Sequence, residues 1–79
     1  MRILYFAQAR LATGRSEESF SSSMSMTEEA IWKRLTQMYP SLIALQPFCR
    51  IAKNGSFLQP GELLDPQDEV AVLPPVSGG

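Results

Sequence analysis

Histidine is absent from the sequence, and cysteine occurs once, at Cys49. The first absence removes the commonest general base and the commonest metal ligand. Together they exclude a structural zinc site, which is built from those two residue types, and no metal site of any kind is expected. A lone cysteine allows no intrachain disulfide and fits a reducing compartment. Charge of either sign is scarce: the net charge is -1 and no basic run occurs, so nothing favours nucleic acid. Long apolar runs are missing too. The opening Met1-Arg2-Ile3-Leu4-Tyr5-Phe6-Ala7 is broken by Gln8 and Arg10. It is too short for a signal-peptide core or a membrane span, so a soluble, cytoplasmic protein without membrane contact is expected. The glycines form neither G-x-x-x-x-G-K-[ST] nor G-x-G-x-x-G, so the chain lacks a phosphate loop and should bind no nucleotide or other cofactor itself. Ser21-Ser22-Ser23 has no histidine to activate a hydroxyl.

What remains is 79 residues with an apolar share of 44%, enough for one small globular domain. Arg2 to Gln8 reads as a first strand, apolar on both faces. Thr13-Gly14 is a turn, and Glu17 to Ser23 a second, weaker strand centred on Phe20, giving an N-terminal hairpin. Thr27 to Tyr39 reads as a helix: Thr27 caps it, Met26 and Ile31 staple it, and Glu28 and Glu29 sit at the positive end of its dipole. Ile31, Leu35, Met38 and Tyr39 form its predicted buried stripe, with Trp32 at the edge. Pro40 ends it. An apolar connector then leads to a third strand, Phe48 to Lys53, in which Arg50 and Lys53 face solvent. Asn54-Gly55 is a strong type I′ signal before a short return strand at Ser56-Phe57-Leu58. Asp65, Asp68 and Glu69 flank a solvated turn beside Pro66. Cys49 reads as a small buried apolar residue, with a redox or sulfur-transfer role as the alternative. The last strand starts at Asp68. The order strand, strand, helix, strand, short strand, strand predicts an α+β chain: a β-grasp, ubiquitin-like mixed sheet with one main helix on one face and the first and last strands adjacent at its centre.

The end of the sequence carries the functional signal. Val70 and Val72 alternate with Ala71 and Leu73, and then Pro74-Pro75 cannot continue a sheet and favours the stiff polyproline II form. Residues 1–75 are thus expected to form the domain and residues 76–79 a flexible tail. A passive, disordered terminus is the bland alternative. Against it stand the missing linker, the stiffening prolines and the final Gly78-Gly79. Gly79 would offer a carboxylate with no Cβ beside it, able to pass a channel too narrow for a side chain. A carboxylate must be activated before anything attacks it, and this chain has no means of doing so; it would be substrate or carrier rather than an enzyme alone.

Leu4-Tyr5-Phe6-Ala7-Gln8-Ala9-Arg10, Ala52-Lys53-Asn54-Gly55 and Pro74-Pro75-Val76-Ser77-Gly78-Gly79 occur in the order found in the small subunits of molybdopterin synthase, which the whole chain resembles. Ser77 stands where threonine is usual, and Lys53 where an apolar residue is. The resemblance implies a sulfur carrier (the MoaD family). An adenylating enzyme akin to ubiquitin-activating enzymes joins AMP from ATP to Gly79, and a sulfur donor converts the adenylate to a thiocarboxylate. The tail then enters the large synthase subunit, in a heterotetramer, and delivers sulfur to a cyclic pterin precursor to form the dithiolene. Gly79 would be the reacting residue, and Pro74, Pro75, Val76, Ser77 and Gly78 the partner-binding tail. Strand parity adds Phe6, Phe57 and Leu73 as an exposed partner surface, because no second helix is expected to cover that face; reversed parity would put Phe6 in the core. A thiamin-type sulfur carrier and a ubiquitin-like protein modifier share the fold and the Gly-Gly end and stay open, as does a pure interaction module.

Overall fold

Strand β1 (Arg2–Tyr5) and the last strand, β5 (Glu69–Leu73), lie side by side and parallel in the computed structural model, which describes residues 1–19 and 21–75. Ile3 sits opposite Val70 and Tyr5 opposite Val72. β2 (Glu17–Ser19) flanks β1 antiparallel, and β3 (Arg50–Lys53) flanks β5 antiparallel with β4 (Ser56–Phe57) outside it. Among the described residues the sheet order is β2-β1-β5-β3-β4, a mixed sheet with the first and last strands inside it, as the element order predicts.

One face of this sheet carries the core. Ile3, Tyr5, Ile51, Val70 and Val72 pack against Ile31, Trp32 and Leu35 of helix α2 (Glu28–Met38), with Leu42 and Leu64 closing the ends. Complete burial of each such side chain stabilises by roughly 1.5–3 kcal/mol. Thr27 caps α2 by accepting from the Ala30 N–H at 3.0 Å. Met26 exchanges both backbone hydrogen bonds with Leu64 at 2.8 Å, which ties the entrance of the helix to the loop before β5. The buried stripe is rotated from the one expected. Trp32 is buried and Met38 is exposed. On an ideal helix Met38 lies about 20° beyond Ile31, on the side away from Trp32, and the sheet meets the Trp32 side. Tyr39 is the C-cap, outside the helix proper.

The first strand is shorter than predicted and the N-terminal connection is not a tight turn. After Phe6 the chain forms helix α1 (Ala7–Thr13). Ala, Gln, Arg and Leu favour it, and Gly14 at φ 73 ends it, its N–H returning to Arg10 O. Entry requires Ala7 to adopt φ 47, a conformation that costs a residue with a Cβ about 1–2 kcal/mol. Ala9 of α1 joins the same core as α2, so both helices cover the same face.

Further along, Ser21 to Ser23 are not strand, and Phe20 lies outside the described residues. Ser22 turns its hydroxyl to Met24 O instead, the local bonding that draws serine out of sheets. β3 begins two residues later than predicted, because Pro47 sits in a 3₁₀ turn, Gln46–Phe48, and Cys49 caps that turn rather than lying in the strand. Another 3₁₀ turn, Pro40–Leu42, starts the connector. Asn54 and Gly55 have φ 50 and 87, as a type I′ turn requires. Among the described residues no helix is long and apolar enough to cross a membrane.

Candidate functional site

Both helices lie on the core face, so among the described residues no α-helix covers the opposite face of the sheet. The α1 helix, absent from the sequence reading, does not cover it. In β5, Val70 and Val72 are fully buried toward the helices, while Ala71 and Leu73 point to the open side and are half-buried. Leu73 pairs with Arg50 across β5 and β3, and Phe57 stands opposite Ala52 across β3 and β4. Arg50, Phe57 and Leu73 therefore share the open face. Phe6 follows β1 with the same parity as Leu4; it is 46% exposed, and its N–H reaches Val72 O at 3.4 Å.

Where β5 ends, Phe48, Arg50, Phe57, Leu73, Pro74 and Pro75 line a groove of about 420 Å³. Its aromatic walls are open to solvent, Phe48 by 66% and Phe57 by 47%. The Arg50 guanidinium carbon lies 3.7 Å from the centre of the Phe57 ring. Such a cation–π contact contributes roughly 0.5–1 kcal/mol at an exposed position. The sequence-derived surface is thus split: Phe57, Leu73, Pro74 and Pro75 meet in the groove, and Phe6 stands across β5, outside its lining. Val76, Ser77, Gly78 and Gly79 lie outside the described residues. Phe48 and Arg50 were missed. The signal for them was the register, since the chain just before β3 runs antiparallel to the end of β5 and must reach the root of the tail.

Around the groove the reactive side chains are few. Cys49 is half-buried, and burial pushes its thiol pKa up, away from the thiolate form a nucleophile needs. Of the acids beside Pro66, Asp65 is exposed and the Glu69 side chain is 44% exposed, as a solvated turn implies, but Asp68 is not. Asp68 is only 12% exposed and accepts from the Asp65 N–H at 2.7 Å and from Asn54 Nδ2 at 2.9 Å. Those bonds hold its carboxyl below the ordinary range. Nor is Lys53 simply solvent-facing. It donates to Leu63 O at 2.9 Å and pairs with Glu62 and Asp68, fastening the loop between β4 and β5. Desolvation pulls its pKa down, but Asp68, Glu62 and Asp65 together outweigh that and raise it. These are structural ties rather than a catalytic set. A shallow hollow of about 520 Å³ at the other end of β1, by Met1, Arg2, Ser19 and Pro66, is polar and does not include Pro74 or Pro75, and its Arg2 is already paired with Glu17 and Glu69. Among the described residues no group of histidine, cysteine or acidic side chains is placed to hold a metal ion.

The geometry has counterparts in known proteins. The chain is 32% identical over 81 residues to the molybdopterin synthase sulfur carrier subunit of Chlamydomonas reinhardtii, covering 100% of this chain and 98% of the relative. It is 30% identical over 82 residues to the protein of the same name from Homo sapiens, with 100% and 93% covered. Its fold is that of SAMP1 from Haloferax volcanii, a small archaeal modifier protein, at a TM-score of 0.83 and 24% identity with 100% and 98% covered. The ThiS family model matches residues 3–79, nearly the whole chain, and the chain belongs to that family.

Proposed function

We propose that this chain is the sulfur-carrier small subunit of a molybdopterin synthase, with Gly79 as its reacting residue. The observation that carries this reading is the ending of β5. A strand held on both sides at the centre of the sheet runs straight into Pro74-Pro75 at the rim of an exposed, aromatic-walled groove. Residues 1–75 act as a rigid body, and residues 76–79 as the segment that body aims. Likeness over the full length to subunits named as sulfur carriers supports the same reading.

In this scheme an adenylating enzyme of the ubiquitin-activating type binds ATP; this chain binds none. The Gly79 carboxylate attacks the α-phosphorus, pyrophosphate leaves, and an acyl adenylate forms. Hydrosulfide-level sulfur from a donor attacks the carbonyl carbon, AMP departs with the electrons of the C–O bond, and a thiocarboxylate remains. The body docks on the large subunit through the open face and the groove, and Val76-Ser77-Gly78 carries the thiocarboxylate to the cyclic pterin precursor. Its sulfur attacks a side-chain carbon of the pterin and an oxygen leaves that carbon. Water then cleaves the resulting thioester, which leaves the sulfur on the pterin and regenerates the Gly79 carboxylate, and two rounds supply the dithiolene. The large subunit contributes the acid–base groups; this chain has no histidine to offer. The cytoplasm is the compartment proposed for this chemistry.

The test is the intact mass of the chain after incubation with the adenylating enzyme, ATP and a sulfur source. Exchange of one oxygen for sulfur at Gly79, and molybdopterin formation on adding the large subunit and the cyclic pterin precursor, are expected. An unchanged mass, or activity that survives deletion of Gly79, overturns the reading. Isopeptide conjugates to lysines of other proteins would instead favour a modifier.

A further inference from the structure

Arg2 and Arg50 both lie on the open face, and they differ in one respect. Arg2 is neutralised by Glu17 at 2.7 Å and Glu69 at 3.2 Å. The Arg50 side chain makes no ion pair and no hydrogen bond among the described residues; its contact is the Phe57 ring. A guanidinium resting on an aromatic ring is oriented in advance, and its N–H donors stay at the rim of its plane for a planar, two-oxygen acceptor. Phe48, Phe57, Leu73, Pro74 and Pro75 make the rest of the groove apolar. Any protein that covers this groove takes Arg50 out of water, which is unfavourable unless the covering surface supplies an opposite charge.

We infer that the docking protein sets an acidic side chain, within an apolar ridge, against Arg50, and that this pair is a specificity determinant for the large subunit. The inference rests on the function proposed above and goes further, since it names the chemistry of the facing surface. A phosphate is the less suitable occupant, because the groove holds a single cation among apolar walls. The chain's own Gly79 carboxylate is the other candidate anion, since the residues beyond Pro75 could reach roughly 13 Å.

Binding of the full chain to its large subunit is measured at low and high salt for the unaltered protein and for Arg50→Lys, Arg50→Leu and Arg50→Glu, each first checked for an unchanged melting temperature. Arg50→Leu should weaken binding about tenfold and flatten its salt dependence, and Arg50→Glu about a hundredfold. Arg50→Lys should fall between the unaltered protein and Arg50→Leu, because it keeps the charge and loses the fork. Replacing the facing acid of the large subunit with lysine should restore binding to Arg50→Glu. Equal affinity and equal salt dependence across the series overturns the inference and leaves the function reading intact. If deleting Gly78 and Gly79 removes the effect of Arg50, the anion was the chain's own and the inference is likewise overturned. Failure of the unaltered chain to bind any large subunit overturns the function reading, and this inference with it.

Discussion

Tyr5 and Tyr39 meet edge to face, with ring centres 5.9 Å apart, and both hydroxyls donate to the same oxygen of Glu18, at 2.8 and 2.7 Å. One exposed strand of the sheet's edge is thereby tied to the central strand and to the end of α2. Burial, and then the hydrogen bond and charge of Glu18, raise both phenol pKa values above the ordinary value of 10.0. A raised folded-state pKa means the folded chain holds its protons more tightly. The stabilisation is therefore complete below pH 10 and is lost as pH rises above it. Urea midpoints measured across the alkaline range should fall for the unaltered protein. Tyr5→Phe should be less stable at neutral pH by about 1 kcal/mol, from one lost hydrogen bond, and should show a shallower alkaline decline. An equally steep decline would place the pH sensitivity elsewhere.

Asp68 makes the opposite prediction at the acid end. The Asp65 N–H and the Asn54 amide, with Lys53 behind them, hold its pKa below 3.8 against a smaller desolvation effect. A depressed folded-state value gives stability that is present above the unfolded value and is lost as pH falls through the folded one. Asp68→Asn should cost about 1–2 kcal/mol at pH 7 and should remove part of the acid-side decline below pH 4. Denaturant titrations of both proteins between neutral and strongly acidic pH measure this directly. A parallel acid decline in the two would show that Asp68 is not its source.

Much of this was legible because the local signals were strong. Thr27 before an amphipathic run, Asn54-Gly55 between short apolar runs, and Pro74-Pro75 after an alternating strand each allow few conformations. The α1 helix was not legible for equally local reasons. Its N-cap is Phe6, which offers no side-chain acceptor, and its first residue, Ala7, takes a positive φ that only glycine would have advertised. Seven residues are also too few for a helical period to stand out against the apolar run of β1. The positions of Arg50, Lys53 and Asp68 follow from register rather than from sequence neighbours. Phe57 reaches Arg50 only because β4 pairs Phe57 with Ala52, and that offset is set by the whole hairpin.

Replacing Pro74 and Pro75 with glycine should leave the melting temperature nearly unchanged. Pro75 is exposed and Pro74 half-buried, both past the last ladder pair of β5. Sulfur transfer should slow, because a floppier segment loses more conformational entropy on entering a channel. Single-turnover rates with thiocarboxylated protein and the large subunit separate the two effects. A collapse of the melting temperature would mean that the prolines are part of the packed body.

The two sides of β5 give the sharpest separation of folding from recognition. Val72 is fully buried among Ile51, Tyr5 and the helices, whereas Leu73, its neighbour in sequence, opens onto the groove. Val72→Asp should unfold the chain, since a charge on the core side has no partner there. Leu73→Asp places its charge at a half-exposed position beside Arg50 and should lower stability by no more than about 1 kcal/mol. Phe6→Asp, at a position nearly half exposed, should behave like Leu73→Asp. Both surface variants should nevertheless bind the large subunit at least tenfold more weakly, because truncating or charging an anchor at the centre of an interface commonly costs more than 1 kcal/mol. Melting curves and binding isotherms of the same preparations decide it. If Leu73→Asp or Phe6→Asp melts as low as Val72→Asp while the folded fraction still binds normally, that residue serves the core and the open face is not the docking surface.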